Sequence, residues 1–354
     1  MLLSNTMKNS ASIQPHSVVL IYANSSPSIG NGHVLRQLAL AQALKKNSYH
    51  VSFIYQQMTV NIKQQLLNSN FACQQLGTRS INHYVQAYNA SLLVIDDYHL
   101  TLTEKHNLTN CTADIVVFDD NTDNELIVAD IIINAADDAT AQDYHARSSQ
   151  PTLLLGAKFR LIRAEFQTQR HLLKNKQART RLMITMGGSD VANFTYPITQ
   201  ALLSYDPRLP LDIVIANMNH ADEVALLALI KQHKNCRLHK NVTNMAPLMA
   251  EAKMAITAAG GTLYELATLG TPSVGLCVSK NQLSAMNSPM FNLGFLAFDC
   301  AEPSSNKPLV SILQAATTLW LATEQRQDMA DNLFNHFDGQ GADRIVSIIN
   351  KLRR

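Results

Sequence analysis

The 354-residue sequence is poor in the features that mark several large protein classes. Its five cysteines (Cys73, Cys111, Cys236, Cys277, Cys300) are odd in number, widely separated and free of any CxxC pair. That pattern argues against a disulfide framework and against a zinc knuckle, both of which need thiols at short, paired intervals. No apolar run reaches the roughly 18 residues that a spanning helix requires. The opening stretch 1–16 turns polar after Leu3 and lacks the apolar core of a signal peptide. The expectation is a cytoplasmic protein with no stable membrane insertion.

Charge of one sign is missing as well. Lys and Arg total 29 against 27 for Asp and Glu; a division at residue 178 leaves 14 basic and 13 acidic residues before it, and 15 and 14 after it. Neither half has the basic excess of a nucleic-acid-binding domain, so no nucleic-acid partner is expected. No glycine turn completes a Walker or GxGxxG pattern, which sets aside a P-loop NTPase and a dinucleotide-dependent redox enzyme. Ser25, Ser26 and Ser189 lack the GxSxG setting of a nucleophile elbow.

What the chain does have is 46% hydrophobic residues arranged as short β-rich runs alternating with longer helical patterns. That alternation is the signature of βαβ units and parallel sheets. Strands are expected at residues 17–23, 51–55, 92–96, 115–120, 130–134 and 152–156. The pattern then restarts at 181–188, with a helix from about Asn193 and further strands at 211–217, 236–242, 254–261, 273–278 and 295–300. Such a length accommodates about two domains. The expected fold class is therefore α/β, with two Rossmann-like domains facing a cleft. The expected organisation is a flexible tail (1–16), an N-terminal domain carrying the catalytic loop (17–165), a linker (166–180), a C-terminal nucleotide-binding domain (181–335) and a final helix packing across both (336–354). Arg163, Arg170, Lys174, Lys176 and Arg179 around the linker read as a solvated basic surface.

Three glycine turns join a strand to a helix: Ile29-Gly30-Asn31-Gly32-His33, Met186-Gly187-Gly188-Ser189-Asp190 and Ala259-Gly260-Gly261-Thr262. Glycine allows close backbone approach, and the following helix offers unpaired N–H groups to a phosphate. Glu265, four residues after Gly261 on the first turn of its helix, has the chemistry to accept two hydrogen bonds from a ribose diol; complementing the helix dipole is the simpler alternative. His33 stands at a helix start, where the dipole disfavours imidazolium and favours a neutral, base-competent ring. Acids recur in pairs at Asp96-Asp97, Asp119-Asp120 and Asp137-Asp138. Hard cations bind such oxygens, but strand-end turns and capping explain them more simply, so no metal and no cofactor are expected.

Together these residues resemble the UDP-2,4-diacetamido-2,4,6-trideoxy-β-L-altropyranose hydrolases of pseudaminic acid biosynthesis, relatives of the GT-B glycosyltransferases. The resemblance runs from residue 17 to about 300. It is carried by Ser25-Ser26-Pro27-Ser28-Ile29-Gly30-Asn31-Gly32-His33-Val34-Leu35-Arg36, Val94-Ile95-Asp96-Asp97-Tyr98, Phe118-Asp119-Asp120, Leu154-Leu155-Gly156 and Leu161-Ile162-Arg163-Ala164-Glu165-Phe166. In the second half it continues through Met186 to Asp190, Asn193, Ala259 to Thr262, Glu265 and Asn281-Gln282.

The resemblance implies a GT-B-like fold and hydrolysis of that UDP-sugar to UDP and free sugar, with inversion. His33 and Tyr98 fall on the catalytic positions. Gly32, Arg36, Gly188, Ser189, Gly260, Gly261, Thr262, Glu265, Asn281 and Gln282 fall on or beside substrate-binding ones. The protein is expected to act as a monomer. Tyr22 and Asn24 stand where the family usually has the Arg and Asp of Arg-x-Asp-x-Ser, and Asp96-Asp97-Tyr98-His99 replaces Asp-His-Tyr-Gly. These departures leave three readings open: a compensated swap, altered sugar recognition, or a non-catalytic UDP-sugar-binding paralogue. A GT-B glycosyltransferase passing the sugar to an acceptor is the remaining alternative.

Overall fold

Unbroken apolar runs such as Val18–Ala23 and Leu92–Asp96 satisfy their side chains only when covered on both faces, and each lies near the centre of a parallel sheet. The structure is a computed structural model that describes residues 17–26, 29–120, 128–144, 150–173, 179–301 and 308–353. The expected tail, Pro27-Ser28, the acidic stretch at 121–127, and Lys174 and Lys176 lie outside the described residues.

The first sheet comprises β1 (Val18–Ala23), β2 (His50–Tyr55), β3 (Ala72–Gln75), β4 (Leu92–Asp96), β5 (Asp114–Phe118), β6 (Ile131–Asn134) and β7 (Thr152–Leu155). Its order is β3-β2-β1-β4-β5-β6-β7, parallel throughout. The second comprises β8 (Arg181–Thr185), β9 (Leu211–Ile215), β10 (Cys236–Lys240), β11 (Ala252–Ala258), β12 (Ser273–Cys277) and β13 (Phe295–Asp299). Its order is β10-β9-β8-β11-β12-β13, again parallel. These are the two α/β domains expected. The strand order reverses between β1 and β4 and between β8 and β11, and such switch points are where open α/β sheets place their ligands. The first and third glycine turns and the Met186–Asp190 turn all leave strands at these two reversals.

Each sheet has an apolar core on both faces. The chain crosses between domains earlier than the expected linker. Residues from 164 onward already form the helix Ala164–Leu172, whose Phe166 is buried in the second core with Ile162 and Leu263. The chain returns at the end: Ala342, Ile345, Val346 and Ile349 of the helix Gly341–Leu352 are buried against Val19, Leu40 and Leu92 of the first core. Crossing and return meet backbone to backbone, because a Cβ at Gly341 would lie 2.1 Å from the Arg160 carbonyl oxygen.

Two cations expected on a solvated surface instead tie the segment after the crossing to the second domain. Arg170 donates to the Thr268 carbonyl at 2.7 Å and to that of Phe334, whose ring it stacks on at 3.5 Å. Arg179 donates to the carbonyls of Leu269 and Gly270. They complete carbonyls at the end of the helix Gly261–Thr268, which no intrahelical donor reaches.

Candidate active site

The helix Gly32–Lys46 begins at the tip of β1, and its i, i+3, i+4 spacing brings His33, Arg36 and Gln37 onto one face. That face meets Asp96 at the tip of β4, which is 1% exposed. One Asp96 oxygen bonds His33 Nδ1 at 2.6 Å and accepts from Arg36 Nη2 at 2.5 Å. The other accepts from Arg36 Nε at 2.6 Å and Gln37 Nε2 at 2.8 Å. Arg36 also reaches Asp120, just past β5, and Tyr98 donates its hydroxyl to the same Asp120 oxygen. The Tyr98 ring meets the His33 ring edge-on at 4.6 Å.

Burial opposes the charge on Asp96, but Arg36 and His33 outweigh it and hold the carboxyl well below the usual range. Asp120 is likewise lowered, with Arg36 overcoming burial and the repulsion of Asp96. Burial, then the nearby carboxylates, push the Tyr98 phenol far up against the opposing pull of Arg36, so it stays a neutral donor. An ionised Asp96 can only accept, so Nδ1 of a neutral His33 carries the proton and Nε2 presents a lone pair. Nε2 has no hydrogen-bond partner among the described residues. The arrangement holds an imidazole in the orientation that a general base needs.

The structure brings together His33 and Tyr98, expected as catalytic, and Arg36, expected at the substrate, and it adds Asp96, Gln37 and Asp120, which the sequence did not single out for the site. Asp96 and Asp120 were read as strand-end acids. The available signal was that β4 and β5 end in acids on the same sheet edge as the His33 turn.

Three of the departures from the family pattern, Tyr22, Asn24 and Asp97, touch one another. Asn24 Nδ2 donates to the Tyr22 hydroxyl at 2.9 Å and to Asp97, while its Oδ1 accepts from the Gln56 and Gln57 N–H groups at 2.7 and 2.9 Å. Asp97 also accepts from the His99 N–H at 2.7 Å, and all three side chains are buried. A phenol, an amide and a carboxylate thus satisfy each other, the geometry of a compensated swap.

Asn24→Asp is expected to set a carboxylate against Asp97, so that one of the two must keep a proton. The folded variant then binds a proton that the unfolded chain releases near pH about 3.9. Its stability relative to the parent falls as pH rises through the raised shared pKa, by roughly 1–4 kcal/mol in total. Urea midpoints at pH 5 and pH 8 measure this, and an equal deficit at both would contradict the contact.

In the second domain, the Gly187-Gly188 turn leaves β8 and the Gly260-Gly261 turn leaves β11. A Cβ at Gly187, where φ is +77°, would lie 3.4 Å from Thr262 Oγ1, and one at Gly260 would lie 3.5 Å from Gln282 Nε2. Gln282 Oε1 accepts the Val278 N–H at 2.9 Å, which leaves its amide nitrogen on the Gly260 side. Asn281 Oδ1 accepts from Ser279 at 2.6 Å. Gly187, Gly260, Thr262 and Gln282 therefore form one cluster, with Gly188 and Gly261 next to it along the chain, and Ser189 is bridged to Asn217 after β9. Asp190 caps the next helix, accepting the Phe194 and Thr195 N–H groups at 2.9 and 2.7 Å.

Glu265 lies one turn into the helix Gly261–Thr268 rather than in its first turn. Its carboxylate is gripped by Arg163, Nε to Oε1 at 2.6 Å and Nη2 to Oε2 at 2.9 Å. A helix-dipole role weakens beyond the first turn, so the simpler alternative loses its footing.

The third acid pair links the domains. Tyr264 donates to Asp137 at 2.6 Å, and Asn287 donates to Asp138 at 3.0 Å. The turn carrying Asn281 and Gln282 is thus tied to the tip of β6, on the same edge as the His33 group. Among the described residues no group of three or more His, Cys, Asp or Glu side chains is arranged to hold a metal, and no helix is long and apolar enough to cross a membrane.

No family model matches the chain. It is 26% identical over 268 residues to the UDP-2,4-diacetamido-2,4,6-trideoxy-beta-L-altropyranose hydrolase of Campylobacter jejuni, covering 75% of this chain and 93% of that one. It is also 26% identical over 273 residues to the uncharacterized protein MJ1062 of Methanocaldococcus jannaschii; that match covers 75% of this chain but only 56% of the archaeal one. Among solved structures, Acinetobacter baumannii MurG aligns with a TM-score of 0.66 at 15% identity, over 95% of this chain and all of MurG (100%). Anabaena Alr3699/HepE in complex with UDP and glucose aligns at 0.60 and 12% identity, over 95% and 100%. These likenesses establish a GT-B-like fold. Over three quarters of its length the chain is similar to the UDP-2,4-diacetamido-2,4,6-trideoxy-β-L-altropyranose hydrolase, a moderate identity that supports this family.

Proposed function

We propose that this chain processes a UDP-sugar, and that it hydrolyses UDP-2,4-diacetamido-2,4,6-trideoxy-β-L-altropyranose to UDP and the free sugar. The observation that carries this reading is the Asp96–His33 pair, whose Nε2 has no partner among the described residues and lies on the sheet edge where the two domains face each other. The curated relative's name supplies the substrate.

In this reading His33 Nε2 takes a proton from water as the oxygen attacks the anomeric carbon, while Asp96 stabilises the imidazolium that forms. The bond from that carbon to the phosphate oxygen breaks, and its electron pair leaves with UDP. A single displacement inverts the configuration. Tyr98 walls the imidazole and stays protonated, and Arg36 keeps Asp96 and Asp120 ionised. The Gly188 and Gly260–Thr262 turns, with Ser189, Asn281 and Gln282, would receive the departing diphosphate through backbone N–H groups and amide donors. UDP is a good leaving group, so the scheme asks for no metal.

The test is UDP release from that nucleotide sugar by the purified protein, with the sugar followed by NMR from the first seconds. Equal amounts of UDP and free sugar are expected, the α-anomer appearing first. Sugar transfer only when an acceptor is added would replace hydrolysis by glycosyl transfer, and UDP binding without release would leave a binding protein.

A further inference from the structure

The geometry points to Arg163 as a positioning residue that presents Glu265 to the ribose of the nucleotide, an assignment that rests on the UDP-sugar reading above. Glu265 follows Gly261 by four residues on one helix, so it sits one turn beneath the glycine turn on the same face. A carboxylate there is within a nucleotide's reach of a phosphate held at the helix start. An unrestrained glutamate has three rotatable bonds and loses rotamer freedom whenever it is fixed by a ligand. Here that ordering is already done.

Arg163 occupies the planar edge of the carboxylate with two parallel hydrogen bonds, at 2.6 and 2.9 Å. An ionised carboxylate has about four acceptor sites, and such a fork takes one from each oxygen. One acceptor site remains on each oxygen, the number that the 2′- and 3′-hydroxyls of a ribose require. The guanidinium is itself fixed on its other sides. Glu165 lies 3.1 Å from Nη1, and the Phe166 ring lies 5.0 Å away. Glu165 is anchored in turn by the Met245 N–H at 3.3 Å. Arg163 precedes the helix Ala164–Leu172 and belongs to the crossing between domains, so the element that fixes Glu265 is the crossing segment and not the nucleotide domain's own sheet.

The experiment is calorimetric titration of the full chain with UDP and with 2′,3′-dideoxy-UDP. The parent protein is expected to prefer UDP by about tenfold or more, because the analogue leaves the remaining acceptor site on each carboxylate oxygen unfilled. In Arg163→Gln that preference should fall to within about threefold through weaker UDP binding, with affinity for the dideoxy analogue unchanged. A merely structural role would weaken both ligands alike and leave the ratio intact, which would overturn the assignment. Arg163→Lys, which keeps the charge but loses the fork, should fall between the two, and it decides the matter if the glutamine variant does not fold. Glu265→Gln separates the two layers of inference. Loss of discrimination there but not in the Arg163 variants rejects the positioning role alone. Full discrimination in Glu265→Gln, or no UDP binding by the parent, rejects the underlying site.

Discussion

Asp96→Asn is expected to lower kcat by roughly 10³–10⁴ while the chain still folds. The substitution keeps the side chain's shape but replaces one acceptor oxygen by a donor nitrogen. The native carboxylate receives Arg36 twice, Gln37 once and the His33 Nδ1 contact, all within 2.8 Å. An amide turned to accept from Arg36 Nε and Gln37 on its oxygen must point its NH₂ at His33 Nδ1. The ring then accepts at Nδ1 and carries its proton on Nε2, the tautomer that cannot take a proton from water. The imidazole stays in place, so substrate affinity should change little. The loss belongs in kcat, and the nitrogen chemical shifts of His33 should report the exchanged tautomer. Unchanged kcat would remove the pair from the chemistry.

The same substitution has a consequence for acid stability. Burial opposes the Asp96 charge, but Arg36 and His33 hold its folded pKa below the unfolded value of about 3.9. The folded state therefore binds fewer protons than the unfolded chain as pH falls through that range. The stabilisation is complete above the unfolded pKa and is lost toward the folded one. The asparagine variant should be less stable at neutral pH and should lose less of its stability on acidification.

How much of this was legible follows from range along the chain. Continuous apolar strands and strand–glycine–helix turns are local patterns, so the two sheets and the three turns were readable before any coordinates. β3 was not, because Ala72–Gln75 is an edge strand of mostly exposed residues with neither alternation nor a buried run. The Arg163–Glu265 and His33–Asp96 pairs are separated by 102 and 63 residues. Each partner alone reads as an ordinary surface or strand-end charge. Only the strand order, which sets β4 beside β1, makes Asp96 the neighbour of His33. The departures at Tyr22, Asn24 and Asp97 were visible one by one as losses, and their mutual hydrogen bonds required the register of β1 against β4. Arg170 and Arg179 were misread for a related reason, since a basic run looks solvated until helix ends are found to receive it.

His33→Ala is expected to lower kcat by roughly 10²–10⁴, the usual contribution of a positioned general base. Affinity for UDP should stay within about threefold, because the glycine turns proposed to receive the diphosphate belong to the other domain. Folding should survive for a reason visible in the site: Asp96 loses one contact but keeps three hydrogen bonds from Arg36 and Gln37, so no buried carboxylate is stranded. The vacated space is bounded by the Tyr98 ring and by Asp96, both of which held the imidazole, so added imidazole has a site that orients it as the native ring was oriented. Partial rescue of turnover by imidazole, absent in a His33→Ala/Asp96→Asn double variant, would locate the proton transfer at this nitrogen and its orientation at the carboxylate. Near-parental turnover by His33→Ala without added base would instead move the base elsewhere and end the hydrolytic scheme as written.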